Sequence, residues 1–132
     1  MGNNALDWLR QGEKDLKHAI KSIENQDYEW TCFSAQQAVE KVIRALFKSV
    51  NIDAWGHSTS QLLQNLPPNL RPDDDPINMA KELDKHYIPA RYPNAHPSGA
   101  PMDYYTKIEA ERAVNYAKKI IQFCKNKIVQ TR

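Results

Sequence analysis

Glycine is scarce in this sequence, with 4 residues in 132. That scarcity excludes the glycine-rich phosphate loop and the dinucleotide fingerprint, each of which needs several glycines in one turn. Cysteine is scarcer still. Cys32 and Cys124 lie far apart and neither has a partner at C-x-x-C distance, so a zinc ribbon and a dithiol redox motif are both excluded. Buried, reduced thiols in a reducing cytoplasm are the ordinary reading of such a pair. Charge of one sign is not in surplus either: 18 Lys+Arg against 16 Asp+Glu leave +2. A heavily basic nucleic-acid binder, whose affinity comes from excess cations, is excluded, while a local cluster of a few cations is not. No apolar run approaches the roughly 18 residues that span a bilayer. The opening MGNNALDWLRQ lacks the build of a signal peptide, and Leu6 stands where a myristoylation site needs Ser or Thr. The expectation is a cytoplasmic protein without a membrane segment.

What is present is a helical pattern. A composition 41% hydrophobic and 26% charged excludes collagen-like, low-complexity and wholly disordered chains. At 132 residues and 15.2 kDa the chain fits one domain, 1–132. From residue 5 to about 25, Leu9, Gly12, Leu16, Ile20 and Ile23 form one stripe at spacings of three and four. Gly12 costs up to about 1 kcal/mol relative to Ala in a helix, and close approach of a second helix would give it a reason. From Tyr28 to Val50 the stripe is Cys32, Ala35, Val39, Val42, Ile43, Leu46 and Val50, and the short link at 25–27 makes the two helices antiparallel neighbours. Ser58 or Thr59 caps a short helix through Leu66, ahead of Pro67 and Pro68. Asp75 reads as an N-cap with Pro76 at the first helical position. Behind them Ile77, Ala80, Leu83 and Tyr87 form a stripe that Pro89 ends. Thr106 and Glu109 match a capping box before Ala110, Ala113, Val114, Ala117, Ile120, Ile121, Cys124 and Ile128. No segment alternates with period two. The expected fold is all-α, four long helices and one short one.

One segment departs from a plain bundle. The loop 89–105, PARYPNAHPSGAPMDYY, carries Pro89, Pro93, Pro97 and Pro101 at every fourth position. Structureless loops of that length are uncommon in compact domains and often functional, and proline reduces the freedom of the unfolded chain. The loop is therefore the first candidate for a site.

Within it Arg91 and His96 stand with four residues between them. Arginine offers a permanent cation whose planar fork matches a phosphate, and histidine can take and return a proton near neutral pH. Together they suffice for RNA cleavage without a metal, the histidine drawing the 2′-hydroxyl proton and the arginine stabilising charge on the phosphate. A structural arginine bonded to loop carbonyls beside a solvated histidine is equally compatible with the spacing. Tyr87, Tyr92, Tyr104 and Tyr105 flank the loop, either to stack on bases or to pin the loop to the bundle. Gln36, Gln37, Glu40, Lys41 and Arg44 read as a solvated helix face, with the paired amides able to bond across a helix interface. His18, His57, His86 and His96 show no metal-ligand spacing, and Asp73–Asp75 read as helix capping rather than a calcium loop. No cofactor and no metal are expected.

Several pieces of the sequence together resemble the HEPN domain family. They are Trp8-Leu9-Arg10-Gln11-Gly12-Glu13-Lys14-Asp15-Leu16, Trp30 through Lys41 (WTCFSAQQAVEK), Gly56-His57-Ser58, Leu83 through Asn94 (LDKHYIPARYPN), and Tyr104-Tyr105-Thr106 before the last helix. The resemblance covers about 5–127. It implies an up-and-down antiparallel helical bundle, usually a homodimer, associated with nucleotides and RNA. Many small prokaryotic members act with a minimal nucleotidyltransferase in a toxin–antitoxin-type pair. Members with ribonuclease activity carry Arg, four to six residues, then His, with two copies forming one cleft, and Arg91 and His96 meet that spacing. Those members commonly continue His-x-Tyr, whereas this chain reads His96-Pro97-Ser98, and Pro93 and Pro97 oppose a regular helix through the motif.

Three functions follow as expectations. The first is a module binding nucleotide or RNA phosphates through Arg91, with Tyr92 and Tyr87, alongside a nucleotidyltransferase partner. The second is a metal-independent endoribonuclease with Arg91 and His96 as catalytic residues at a dimer cleft. The third is a non-catalytic dimerisation or assembly module using Trp30, Trp55 and Phe33.

Overall fold

The computed structural model describes residues 4–131. Its helices are α1 (Ala5–Glu24), α2 (Tyr28–Ser49), α3 (Thr59–Gln64), α4 (Asp74–Asp84), α5 (Pro101–Tyr104) and α6 (Lys107–Thr131), with a 3₁₀ turn at Pro93–Ala95 between α4 and α5. Among the described residues there is no strand. The result is an up-and-down helical bundle, as the periodicity indicates. No described helix is long and apolar enough to cross a membrane.

α2 is the centre of the bundle, packed by α1 and α6 along its length and by α3 and α4 near the site. Its apolar stripe is buried from Cys32 to Leu46, and Ala38, Ala45 and Phe47 are buried as well. A helix enclosed on most sides must also enclose polar groups. Thr31, Gln36 and Glu40 are buried on α2, which corrects the expectation of a solvated face. Around it lie Leu62, Leu63 and Leu66, then Ile77, Ala80 and Leu83 of α4, and Ala110, Ala113, Ala117, Ile120 and Cys124 of α6.

The helix ends follow local chemistry. Ser58 caps α3, its side chain accepting from the Gln61 amide, but the helix ends at Gln64 rather than Leu66. α4 begins two residues earlier than expected, with Asp73 at its N-cap and Pro76 third in the helix. First-turn amides have no intrahelical acceptor, so proline is tolerated there. α4 also ends sooner, at Asp84. Residues 85–91 continue as turns, with His86 N bonding Leu83 O, Tyr87 N bonding Asp84 O and Arg91 N bonding Ile88 O, because Pro89 disfavours α-helix in the residue before it. The Asp84 carboxylate accepts from the Thr59 and Ser60 amides and from the hydroxyls of Ser58, Thr59 and Ser60 at 2.7–3.1 Å. That one side chain fastens the end of α4 to the start of α3. Thr106 and Glu109 form the expected reciprocal cap on α6.

In α1, Gly12 and Ala19 are buried while Ile20 sits at the exposed edge. The buried stripe therefore runs through Ala19 rather than Ile20. Gly12 has the close neighbour its cost demands: a β-carbon there would stand 2.6 Å from Val42 Cγ2 and 3.0 Å from the Ala38 carbonyl oxygen. The Ala38 carbonyl belongs to the backbone of α2 and cannot turn aside. Gly12→Ala should therefore lower stability by about 1–2 kcal/mol, since overpacking of about 1–3 kcal/mol outweighs the gain in helix propensity. Adding Val42→Ala should recover part of the loss, a coupling that urea denaturation of the two single variants and the double variant would measure. A Gly12→Ala protein more stable than its parent would mean that the helices separate freely at this point.

Candidate functional site

The proline-rich loop contains two short helical turns that its sequence does not announce. Pro93 opens the 3₁₀ turn and Pro101 opens α5, both positions that use a fixed φ and need no amide hydrogen. The loop is closed at its ends by His86 and Tyr105, whose Nδ1 and hydroxyl lie 3.0 Å apart. Inside it the Ala100 amide donates to Asp103 Oδ2 at 2.9 Å and the Tyr104 hydroxyl donates to the Ser98 carbonyl. Tyr104 and Tyr105 thus pin the loop.

Arg91 is treated differently. Its Nε donates to the Tyr87 carbonyl at 2.8 Å, which accounts for one of its five N–H bonds. The guanidinium carbon lies 4.5 Å from the ring centre of Phe33, 4.6 Å from Tyr87 and 5.0 Å from Tyr92. Three rings hold the plane of the cation, and among the described residues no hydrogen bond or ion pair uses its two Nη groups. Trp30 packs edge-on against Phe33, extending the aromatic row to a ring that is 46% exposed. The residues expected to bind ligand, Arg91, Tyr87 and Tyr92, are thus brought together, with Phe33 of α2 as an unanticipated member.

His96 has a separate set of partners. Its Nε2 lies 2.8 Å from the Pro89 carbonyl and its ring stacks on Tyr104 with centroids 4.3 Å apart. A carbonyl only accepts, so Nε2 carries the hydrogen and Nδ1 is the basic nitrogen of the neutral ring. No described contact joins His96 to Arg91.

A second polar group also meets Tyr87. The His57 ring stacks on Tyr87, centroids 5.4 Å apart at an interplanar angle of 18°, and its Nδ1 lies 3.1 Å from Glu40 Oε2. Glu40 also accepts from Arg44 Nε at 3.2 Å. Arg44 further donates to the carbonyls of Ala54 and Gly56, and Gln36 Nε2 donates to the His57 carbonyl at 3.2 Å. Gln37 in turn donates to Gln36 Oε1. Buried polar groups must be paired, and here the pairing is spent on one segment, 54–57. Gly56 takes φ +86° within it, a left-handed conformation that favours glycine. In the sequence Gly56 and His57 stand out only through the family resemblance and, for His57, as a histidine without metal-ligand spacing. Their link to Glu40 spans 17 residues and leaves no spacing signature.

The remaining titratable groups point to structure rather than chemistry. Burial pushes the Cys32 thiol up to about 12, with the Glu109 carboxylate adding to the effect, and burial alone pushes Cys124 up to about 12. Both stay protonated and are poor nucleophiles. Among the described residues no group of His, Cys, Asp and Glu is placed to hold a metal ion.

With this arrangement in place, the relationships of the chain can be stated. The HEPN domain model matches residues 5–127, and the chain belongs to the HEPN family. Its fold is similar to the crystal structure of TT1696 from Thermus thermophilus (46% identity, TM-score 0.92, 95% of this chain and 98% of that one). It is similar also to ST0689, described as an archaeal HEPN homologue (37%, TM-score 0.80, 94% and 97%), and to the HEPN domain protein tm0613 from Thermotoga maritima (39%, TM-score 0.67, 91% and 95%). In sequence it is 23% identical over 128 residues to a protein of Methanocaldococcus jannaschii named "Putative toxin MJ1304", covering 90% of this chain and 84% of that protein.

His86 gives the site region a pH dependence. Burial lowers its pKa below the ordinary 6.5, against the opposing pull of Glu109 and Glu82. The unfolded chain therefore takes up this proton more readily than the folded one. Stability associated with His86 is complete above about pH 6.5 and is lost as pH falls toward the folded-state pKa. Urea midpoints at about pH 7.5 and about pH 5 should fall further apart for the parent protein than for His86→Gln. Equal falls would show that other groups drive the acid limb.

Proposed function

We propose that this HEPN chain binds nucleotide or RNA phosphates through Arg91, and that it works as a homodimer with a nucleotidyltransferase partner in a toxin–antitoxin-type pair. The observation that carries the phosphate reading is the state of Arg91, a cation oriented by three aromatic rings with both Nη groups uncommitted. Backbone bonding at Nε fixes the fork without neutralising it, and a phosphate is the ligand that matches two parallel N–H donors. Tyr92, half exposed, adds a ring on which a base can stack. Family membership and the likeness to a protein named as a toxin support the pairing with a partner.

A second reading is a metal-independent endoribonuclease. It is favoured by the retained spacing of Arg91 and His96 and by the basic Nδ1 of His96, to which no described residue is bonded. In that reaction the 2′-hydroxyl proton passes to His96, its oxygen attacks the adjacent phosphorus, and Arg91 stabilises the charge that develops. Two copies would then supply the two residues across one cleft. RNA cleavage in excess chelator that leaves cyclic-phosphate ends and disappears in His96→Ala would support it. Equal cleavage by both proteins would remove His96.

For the leading reading, Arg91→Ala should weaken binding of a short RNA by about 1.5–3 kcal/mol, roughly 10- to 150-fold, the loss expected for a charged hydrogen bond. Arg91→Lys should recover little, because a point charge reproduces neither the fork nor the stacking. Fluorescence anisotropy at fixed salt is the measurement, and unchanged affinity in Arg91→Ala would take Arg91 out of the site.

A further inference from the structure

We propose that His57 is a specificity residue of the Arg91 site, its Nε2 accepting a hydrogen bond from a ribose 2′-hydroxyl and so selecting ribonucleotides over deoxyribonucleotides. This rests on the phosphate-binding reading of Arg91. Three observations carry it. Glu40, 6% exposed, presents its carboxylate to His57 Nδ1 at 3.1 Å. A carboxylate only accepts, so Nδ1 bears a hydrogen, and in the neutral tautomer the outward lone pair is at Nε2. The side chain is 62% exposed, and among the described residues nothing bonds Nε2. Finally, His57 and Arg91 touch the same ring, with centroid contacts of 5.4 Å and 4.6 Å to Tyr87.

A phosphate donor fork and a sugar-hydroxyl acceptor beside the same aromatic ring form a set that neighbouring groups of one RNA strand satisfy. The 2′-hydroxyl is the group that tells RNA from DNA at a protein site, and its proton needs an acceptor. His96 stands apart from this set, its Nε2 bonded to the Pro89 carbonyl and its ring stacked on Tyr104. Glu40 acts as a positioning residue, and Arg44 and Gln36 hold the backbone on which His57 rides.

The fold tolerates the test. The anchors of segment 54–57 run from Arg44 and Gln36 to backbone carbonyls, so removing the imidazole leaves them in place. His57→Phe keeps a ring on Tyr87 and lacks the acceptor. His57→Ala lacks both. The full chain is titrated in excess chelator at about pH 8 with a labelled ten-nucleotide RNA and with the DNA of the same sequence. The parent protein should prefer RNA by about 3- to 10-fold, the value of one neutral hydrogen bond. His57→Phe and His57→Ala should bring that ratio to about one with DNA affinity unchanged, and Glu40→Gln should reduce it. Arg91→Ala should weaken both ligands and keep the ratio. No RNA preference in the parent, or a preference that survives in His57→Phe and His57→Ala, overturns the proposal while an Arg91-dependent affinity leaves the phosphate reading standing. Binding of both nucleic acids that ignores Arg91→Ala overturns the two together.

Discussion

A carboxylate buried in the middle of a central helix sets the terms for the functional face of this protein. Glu40 lies on α2, which is enclosed by its neighbours along most of its length, and an uncompensated charge there would cost several kcal/mol. Arg44 and His57 answer it. Arg44 can do so only because it also gathers two carbonyls of the segment after α2, and His57 only because Gly56 turns the chain. The segment between α2 and α3 is therefore held by polar pairing rather than by apolar burial. The opposite side of α2 follows other rules. There Gly12, Ala38 and Val42 bring α1 into close contact, and the Lys41–Asp15 ion pair at 2.6 Å joins the same two helices.

The loop after α4 continues the same division of labour. Its prolines are placed where helical turns begin, and its tyrosines and histidines bond to backbone carbonyls or to each other, so its shape is determined from within. Arg91 is held mainly by π-faces, and its charge stays available. Phe33 from α2 and Tyr87 from the end of α4 meet at that guanidinium. The position of the cation thus depends on how α2 and α4 are packed. Asp84, fastening α4 to the start of α3, and Glu82, paired with Arg112 of α6 at 2.6 Å, fix α4 from two sides.

Much of this was legible in the sequence because it is local. Apolar spacing marked α1, α2, α4 and α6, Ser58 and the Thr106–Glu109 pair marked two helix starts, and the cost of Gly12 foretold a helix crossing. Arg91 stood out as a permanent cation in a constrained loop, and the family resemblance was carried by strings of adjacent residues. What escaped was long-range. The spacing of Gln36, Glu40 and Arg44 reads as a wet face unless the segment at 54–57 is known to fold over it. Phe33 reads from the sequence as part of an assembly surface with Trp30 and Trp55, and only the folded loop brings Arg91 onto its ring. α4 ends short because the Asp84 carboxylate is bonded to the start of α3 and Pro89 restricts the residue before it, contacts that periodicity does not encode.

The segment at 54–57 also carries its own reporter. Trp55 is 80% exposed, yet it lies between Ala54 and Gly56, whose carbonyls are both gripped by Arg44. Its indole projects from a backbone held on each side, so its emission reads the solvent beside the His57 edge rather than the interior of the bundle. In a variant with Trp8 and Trp30 replaced by Phe, quenching by a small neutral solute therefore separates events at that edge from global unfolding, without any label attached to the protein. The same indole makes the edge sensitive to whatever covers it, whether nucleic acid or another polypeptide, in a single optical channel.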